Sequence, residues 1–191
     1  MMKKMLILVI TLLATACSTK TLINLSVDAD SFIPAASKSG STAVTAGRID
    51  YRFPDDDGDA INGNDLNGAV ITIPSVKFIS SATLNIKLTI NTTATGSLEV
   101  YVAPGNTVNL YQVQYRVLQA STTDSSSFAG NVTLSAASSD PAQVQAFTAI
   151  QSGSFRIGAR VQGSAISGTM VQYSVDDLTV SVAGYPIKAL F

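Results

Sequence analysis

The 191-residue chain has no histidine, no tryptophan, one cysteine (Cys17) and one glutamate (Glu99). Each absence removes a chemistry. Without imidazole, a Ser-His-Asp nucleophile cannot be assembled, and the usual His/Cys zinc sites are excluded as well. A lone cysteine has no disulfide partner within the chain. One glutamate makes an acid-pair glycoside hydrolase depend on an aspartate pair, and no such pair stands out. Without tryptophan, sugar stacking would fall to Tyr51, Tyr101, Tyr111, Tyr115, Tyr173 and Tyr185. Charge is scarce too: 13% of residues are ionic and the formal net charge is −1. No basic patch marks a nucleic-acid partner. These absences favour a non-catalytic protein.

The chain is correspondingly rich in Ser, Thr, Ala, Val and Gly, a composition of β-strands joined by short polar turns. Its N-terminus is of another kind. Lys3 and Lys4 precede an apolar run, Met5 to Leu13, broken only by Thr11, and Ala14-Thr15-Ala16 lead into Cys17. A charged start, a short apolar stretch and small residues before a cut site make a secretory signal. The apolar run falls short of the ~20 residues of a membrane span.

A cysteine directly after such residues resembles the lipobox of bacterial lipoproteins, although Ala14 stands where that family usually has Leu. The resemblance implies removal of residues 1–16, acylation of Cys17 and anchoring in the cell envelope through lipid. Ser18, not Asp, after the cysteine resembles outer-membrane rather than inner-membrane retention. Cleavage would leave 175 residues with a net charge of −3. That is enough for one domain, over residues 22–191, behind a short tether of residues 17–21.

Alternation predicts the strands. Ile23, Leu25 and Val27 open the domain, and residues 28–48 read as a long loop with room for a weak edge strand. Ile49, Tyr51 and Phe53 form a half-buried strand ended by Pro54, and Val70 to Ile73 a short buried one. Leu84, Ile86, Leu88 and Ile90 face one way and Asn85, Lys87, Thr89 and Asn91 the other. Leu98, Val100 and Val102 repeat the pattern after a Gly-containing loop, which predicts a hairpin. Glu99 and Tyr101 fall on the exposed face of that second strand. Val113, Tyr115 and Val117 form another, with Tyr111 out of phase, and Val132 and Leu134 a further one.

One helix is expected at 140–151. Asp140 suits the N-cap, Pro141 the first turn and Gln143 the third position of a capping box. Val144, Phe147 and Ile150 share a face, and Gly153 fits the stop. Phe155, Ile157, Ala159 and Val161 then alternate with Arg156 and Arg160, and Leu178, Val180 and Val182 form the last clear strand. Nine or ten short strands with one helix predict an all-β, two-sheet antiparallel sandwich. The order of helix, Ser154–Val161 and Tyr173–Val180, with Asp176-Asp177 leading into the final strand, resembles jelly-roll modules of the carbohydrate-binding type. What carries over is the fold. Tyr185, Ile187, Ala189 and a terminal Phe191 resemble the last strand of outer-membrane barrels, but Pro186 interrupts it, and a tail packed on the sandwich is the preferred reading.

The candidate binding chemistry is acidic. Asp55, Asp57, Asp59 and Asp65, with Asn62 and Asn64 between, supply the clustered oxygens that calcium takes from flexible loops. Asp56 adds to a charge repulsion that a cation would relieve. Phe53 would fall at the first ligand position of an EF-hand, which excludes that motif; a solvated turn is the plainer alternative. Asp176 and Asp177 are a second candidate pair, read alternatively as turn residues. Three functions therefore stand: a lipid-anchored, non-catalytic envelope protein binding an envelope protein or polysaccharide, a calcium-dependent carbohydrate-binding module, and an acid-pair glycoside hydrolase.

Overall fold

The computed structural model describes residues 23–45, 47–54, 64–75, 79–91, 95–122 and 126–184. They form ten strands and one α-helix. The strands are β1 (Ile23–Asp28), β2 (Ser39–Ala43), β3 (Arg48–Phe53), β4 (Ala69–Thr72), β5 (Ile79–Asn91) and β6 (Thr95–Pro104). After them come β7 (Arg116–Thr122), β8 (Ser126–Leu134), the helix α1 (Pro141–Ser152), β9 (Ser154–Ser164) and β10 (Met170–Gly184). Every pairing is antiparallel. The first sheet has the order β1-β10-β5-β8 with β2 also on β10; the second has β3-β9-β6-β7 with β4 also on β9. Setting aside β2 and β4, this back-and-forth order across two sheets is the connectivity of a jelly roll.

The core lies between the sheets and is built from the inward half of each alternation. Leu84, Ile86 and Leu88 of β5 face Leu98, Val100 and Val102 of β6 from the opposite sheet, and all six are buried. Phe53 of β3 stacks on Tyr173 of β10 across the core, with ring centroids 4.6 Å apart. A cavity of about 30 Å³ remains between the sheets, lined by Phe53, Val100 and Leu178 among others. It is too apolar to give a water the partners it needs.

The expected hairpin of β5 and β6 does not form. Both edges of β5 are taken by β10 and β8, and both edges of β6 by β9 and β7. The two strands pack face to face. Period-two alternation marks which side chains are buried, not which strand lies alongside. Residues 28–48 do contain the edge strand, β2, together with 3₁₀ turns at Asp30–Phe32 and Ala35–Ser37.

The helix matches its expected bounds closely. Asp140 Oδ1 accepts the backbone N–H of Ala142 at 2.9 Å, and Pro141 opens the first turn. Gln143 does not reach back to the N-cap directly. The Ser138 hydroxyl stands between them, donating to Gln143 Oε1 at 2.8 Å and accepting from the Asp140 N–H at 3.2 Å. Gly153 takes a left-handed φ of 85° and ends the helix. Phe147 and Ile150 are buried and Val144 is half-buried; Ala142, Ala146 and Ala149 widen the buried stripe. The helix closes one end of the sandwich. Its C-terminal turn bonds to the start of β5 through Gln151 and to Ser75.

Two strand assignments change. Val113–Tyr115 is a 3₁₀ turn, and β7 begins only at Arg116. Val113 is 72% exposed, because it stands on a connection and not on a sheet. Asp176-Asp177 does not precede the last strand but sits inside it, where a register shift between Val175 and Asp177 interrupts the β10–β5 ladder. A bulge re-aims side chains locally, and both carboxylates are thereby exposed.

Candidate functional site

The outer face of the second sheet gathers most of the ionic chemistry. All five arginines of the sequence stand on its strands: Arg48 and Arg52 on β3, Arg116 on β7, Arg156 and Arg160 on β9. Register places Arg52 directly opposite Arg160, a like-charge pair that is unfavourable alone. Asp50 resolves it. Its carboxylate accepts Arg160 Nε and Nη2, both at 2.7 Å, and lies 4.0 Å from Arg52 Nε. The amide of Gln162, oriented with its oxygen toward Arg160, accepts from Nη2 at 2.6 Å. Burial alone would raise the Asp50 carboxyl. The bonds and charge of Arg160, then the charges of Arg52 and Arg48, outweigh it and hold the group below the usual carboxylate range. Arg160 is pushed up chiefly by its bonds to Asp50.

Glu99 is the centre of the second half of this face. Register sets it opposite Arg160 on β9 and Gln119 on β7. Tyr101 Oη donates to Glu99 Oε2 at 2.6 Å and Arg116 Nη1 to Oε1 at 2.6 Å. The expectation that Glu99, Tyr101 and Tyr111 would be exposed is wrong: they are 3%, 2% and 7% exposed. The reason is the connection 105–115, which folds back over the sheet as a flap. Leu110 and Tyr111 from it join Tyr101 and Ala103 in a second, smaller apolar cluster outside the main core. Tyr111 meets Tyr101 edge-on at 5.3 Å, lies under the Arg52 guanidinium at 5.2 Å, and donates to the carbonyl of Phe53 at 3.3 Å. That guanidinium–ring contact accompanies the buried Arg52 Nε, which has no hydrogen-bond partner. Gly158 makes the flap's approach feasible: a Cβ there would lie 2.6 Å from Tyr111 Oη and 2.8 Å from Leu110 Cδ2.

The outer face of the first sheet is almost the opposite. Its rows run Ser26–Ser181–Thr83–Thr133 and Asp28–Thr179–Asn85–Asn131 across β1, β10, β5 and β8. Short hydroxyl and amide side chains dominate, and two open grooves cross it. One of about 450 Å³ is lined by Ser39, Ser41, Thr89, Gln172 and Ser174 among others; the other, of about 360 Å³, is lined by Asn24, Ser26, Ser81, Thr83 and Ser181 among others. Asp176 borders the first groove. It accepts from Thr89 Oγ1 at 2.6 Å and Ser174 Oγ at 2.8 Å, and these bonds lower its carboxyl from the ordinary value. Asp177 accepts from Thr179 Oγ1 at 2.8 Å.

Among the described residues, the acidic candidates Asp65, Asp176 and Asp177 are not gathered in one place. Asp55, Asp57 and Asp59 lie outside the described residues. Asp65 is fully buried, and its carbonyl accepts from Arg52 Nη1 at 3.1 Å on the second-sheet side, whereas Asp176 and Asp177 belong to the first sheet. Among the described residues, no three carboxylate, imidazole or thiolate groups come close enough to share a metal ion. Of the tyrosines considered for stacking, Tyr51 and Tyr173 are buried and Tyr115 half-buried, with Tyr185 outside the described residues. Cys17 and residues 185–191 are likewise outside them. No helix among the described residues is long and apolar enough to cross a membrane.

Sequence reasoning missed the Asp50–Arg160 pair and the Arg116 contact to Glu99. The available signals were the alternating Arg-Asp-Arg of β3 and a glycine, Gly158, inside a strand. Such a glycine marks close approach of another segment.

No family model matches the chain, and no curated protein does. Solved structures match in shape. The VP2 subviral particle of infectious bursal disease virus has 11% identity and a TM-score of 0.41, and the match covers 88% of this chain and 34% of that one. A CBM4 protein has 11% identity and a TM-score of 0.32 over 84% of this chain and 86% of its own. A latent aurone synthase, a polyphenol oxidase, has 7% identity and a TM-score of 0.36, covering 76% of this chain and 26% of its own. The chain thus spans about a third of the VP2 chain. Likeness at this level carries no functional argument.

Proposed function

We propose that the protein is a lipid-anchored, non-catalytic lipoprotein of the cell envelope, held at the outer membrane by Cys17 and binding an envelope polysaccharide or protein. The observation that carries the non-catalytic reading is the engagement of four carboxylates among the described residues. Asp50 is clamped by Arg160, Glu99 by Tyr101 and Arg116, Asp176 by Thr89 and Ser174, and Asp177 by Thr179. A glycoside hydrolase needs one carboxyl that keeps its proton near neutral pH. Asp50 is shifted the other way, and Glu99 is covered by the flap. The Asp28 carboxyl is raised, first by burial and then by its bond to Asp30, and Lys38, paired with Asp30, pulls it back. The first sheet's grooved face, with its neutral donors and acceptors, is the surface assigned to the partner.

Fractionation of cells expressing the parent and the Cys17→Ser chain, with palmitate labelling, tests the anchor. The label should disappear and membrane association should fall sharply in the variant, leaving only weak residual partition; unchanged fractionation would sink this reading. Replacing Ser41 and Ser174 by Arg should block retention on envelope polysaccharide if the larger groove is the contact.

A further inference from the structure

We infer that the helix-capped corner of the sandwich, built by the flap 105–115 and α1, is the face the domain lays on the lipid bilayer. Six large hydrophobic residues are exposed among the described residues. Four of them, Leu66, Val70, Val108 and Val113, lie on the flap or on the segment beside it, and Val108 and Val113 are 77% and 72% exposed. The flap is not free to turn them inward. Gly105 N–H is bonded to Ser154, Leu110 N–H to Leu66, and Tyr115 N–H to Gln112, while Leu110 and Tyr111 are already buried beneath it. The sequences of the flap (GNTVNLYQVQY) and of α1 (PAQVQAFTAIQS) contain no Lys, Arg, Asp or Glu. The flap and helix carry no charge of their own, and the half-buried Arg156 beside them is bonded to the carbonyls of Gly105 and Asn67; outward valines bordered by a cation suit the boundary between headgroups and acyl chains.

The chain leading to Cys17 selects this end over the other. This inference rests on the anchor proposed above. Ile23, the first residue of β1, pairs with Gly184 at the end of β10, which in turn pairs with Ile79 beside the helix C-terminus. Flap, helix and the start of β1 therefore share one end of the sandwich. Six residues from Cys17 to Ile23 reach at most ~20 Å. The remaining exposed hydrophobics, Ile166 and Met170, sit at the opposite tip. That tip is a full β10 length away, ~45 Å for its 15 residues. An upright domain tethered through Cys17 can place Val108 and Val113 on the bilayer but not Ile166, which faces away with the β9–β10 turn.

The test uses the full chain reconstituted in vesicles of phosphatidylethanolamine and phosphatidylglycerol. Val108→Cys, Val113→Cys and Ile166→Cys each carry an environment-sensitive fluorophore, and a lipid-phase and a water-soluble quencher are compared. Positions 108 and 113 should be quenched from the lipid and shielded from water, with 166 the reverse. Equal water access at all three positions would overturn the inference while leaving the anchor intact. Failure of the anchor is seen separately, because an unacylated Cys17 in the parent chain would itself take the label. The corner is then judged in the Cys17→Ser background: Val108→Asp with Val113→Asp should weaken partition into the same vesicles by at least about tenfold. An unchanged partition there would overturn the inference. Both valines are exposed, so the substitutions leave the fold intact.

Discussion

The Tyr101 hydroxyl offers a sharp test of the second-sheet face. Tyr101→Phe keeps the ring and its edge contact with Tyr111 but removes the donor to Glu99 Oε2. A hydrogen bond to a buried carboxylate is worth roughly 1.5–3 kcal/mol, more than a neutral one, because the anion loses a partner it cannot replace with water. The same bond also has a pH signature. The phenol is pushed up from 10.0 to about 12, first by burial, then by the bond to Glu99 and its charge, with Arg160 pulling the other way. The folded protein therefore holds this proton more tightly than the unfolded chain does. The resulting stability is fully present below about pH 10 and is lost as pH rises toward 12. The whole difference is on the order of 3 kcal/mol.

Urea unfolding of parent and Phe variant at a series of pH values between 7 and 12 measures this directly. Groups common to both proteins cancel in the difference. At pH 7 the variant should be less stable by roughly 2 kcal/mol. The gap should close as pH approaches 12, since the parent then carries a buried phenolate beside a carboxylate. Tyrosinate absorbance should show a late-titrating phenol in the parent that the variant lacks. Parallel stability curves, or a parent with no late phenol, would refute the idea that a flap-covered Glu99–Tyr101 pair supports this face.

Gly158→Ala places a methyl against Tyr111 Oη and Leu110 Cδ2. The variant should lose about 1–3 kcal/mol in urea unfolding, and limited proteolysis should cut faster within 105–115. Asp50→Asn leaves Arg52 and Arg160 opposed across β3 and β9 and should cost roughly 2 kcal/mol at pH 7, read as a lowered melting temperature. Because the Asp50 carboxyl is held below its ordinary 3.8, its contribution is present above about pH 4 and is lost as pH falls through the folded value. The asparagine variant should accordingly show a flatter acid limb between about pH 5 and 2. Asp140→Ala removes the cap on Ala142 N–H and should destabilise by about 1 kcal/mol, with a small loss of helical circular dichroism.

Local chemistry was well represented in the sequence. The helix was legible because Asp140 caps through its own side chain and Pro141 and Gly153 act through their own backbone, with no distant partner required. The inward halves of β3, β5, β6, β9 and β10 were legible because a period of two survives wherever one face is buried. Pairing was not. Ile86 and Val100 carry the same alternation whether their strands lie side by side or on opposite sheets, and only the competition of β8, β9 and β10 for the same edges decides it. Asp176-Asp177 misled for a related reason. Acidic pairs favour turns, and a bulge inside a long strand satisfies the same preference without ending the strand.

The site was least legible where a connection acts as a covering layer. Alternation assigns Glu99 and Tyr101 to the outer face, which is correct. It cannot say that residues 105–115 return to cover that face, because the return depends on Gly158 leaving room and on Leu110 reaching the carbonyl of Leu66. Once covered, the face must neutralise its own charge, since a carboxylate out of water requires partners. This is why the sole glutamate meets Tyr101 and Arg116, and why Asp50 lies between Arg52 and Arg160. The covering has a second effect. A flap that turns Leu110 and Tyr111 inward leaves Val108 and Val113 outward, at the end of the sandwich from which the chain runs back to Cys17. Burying an ionic face and presenting an apolar corner are thus one structural event, and disrupting the flap through Gly158 should perturb both.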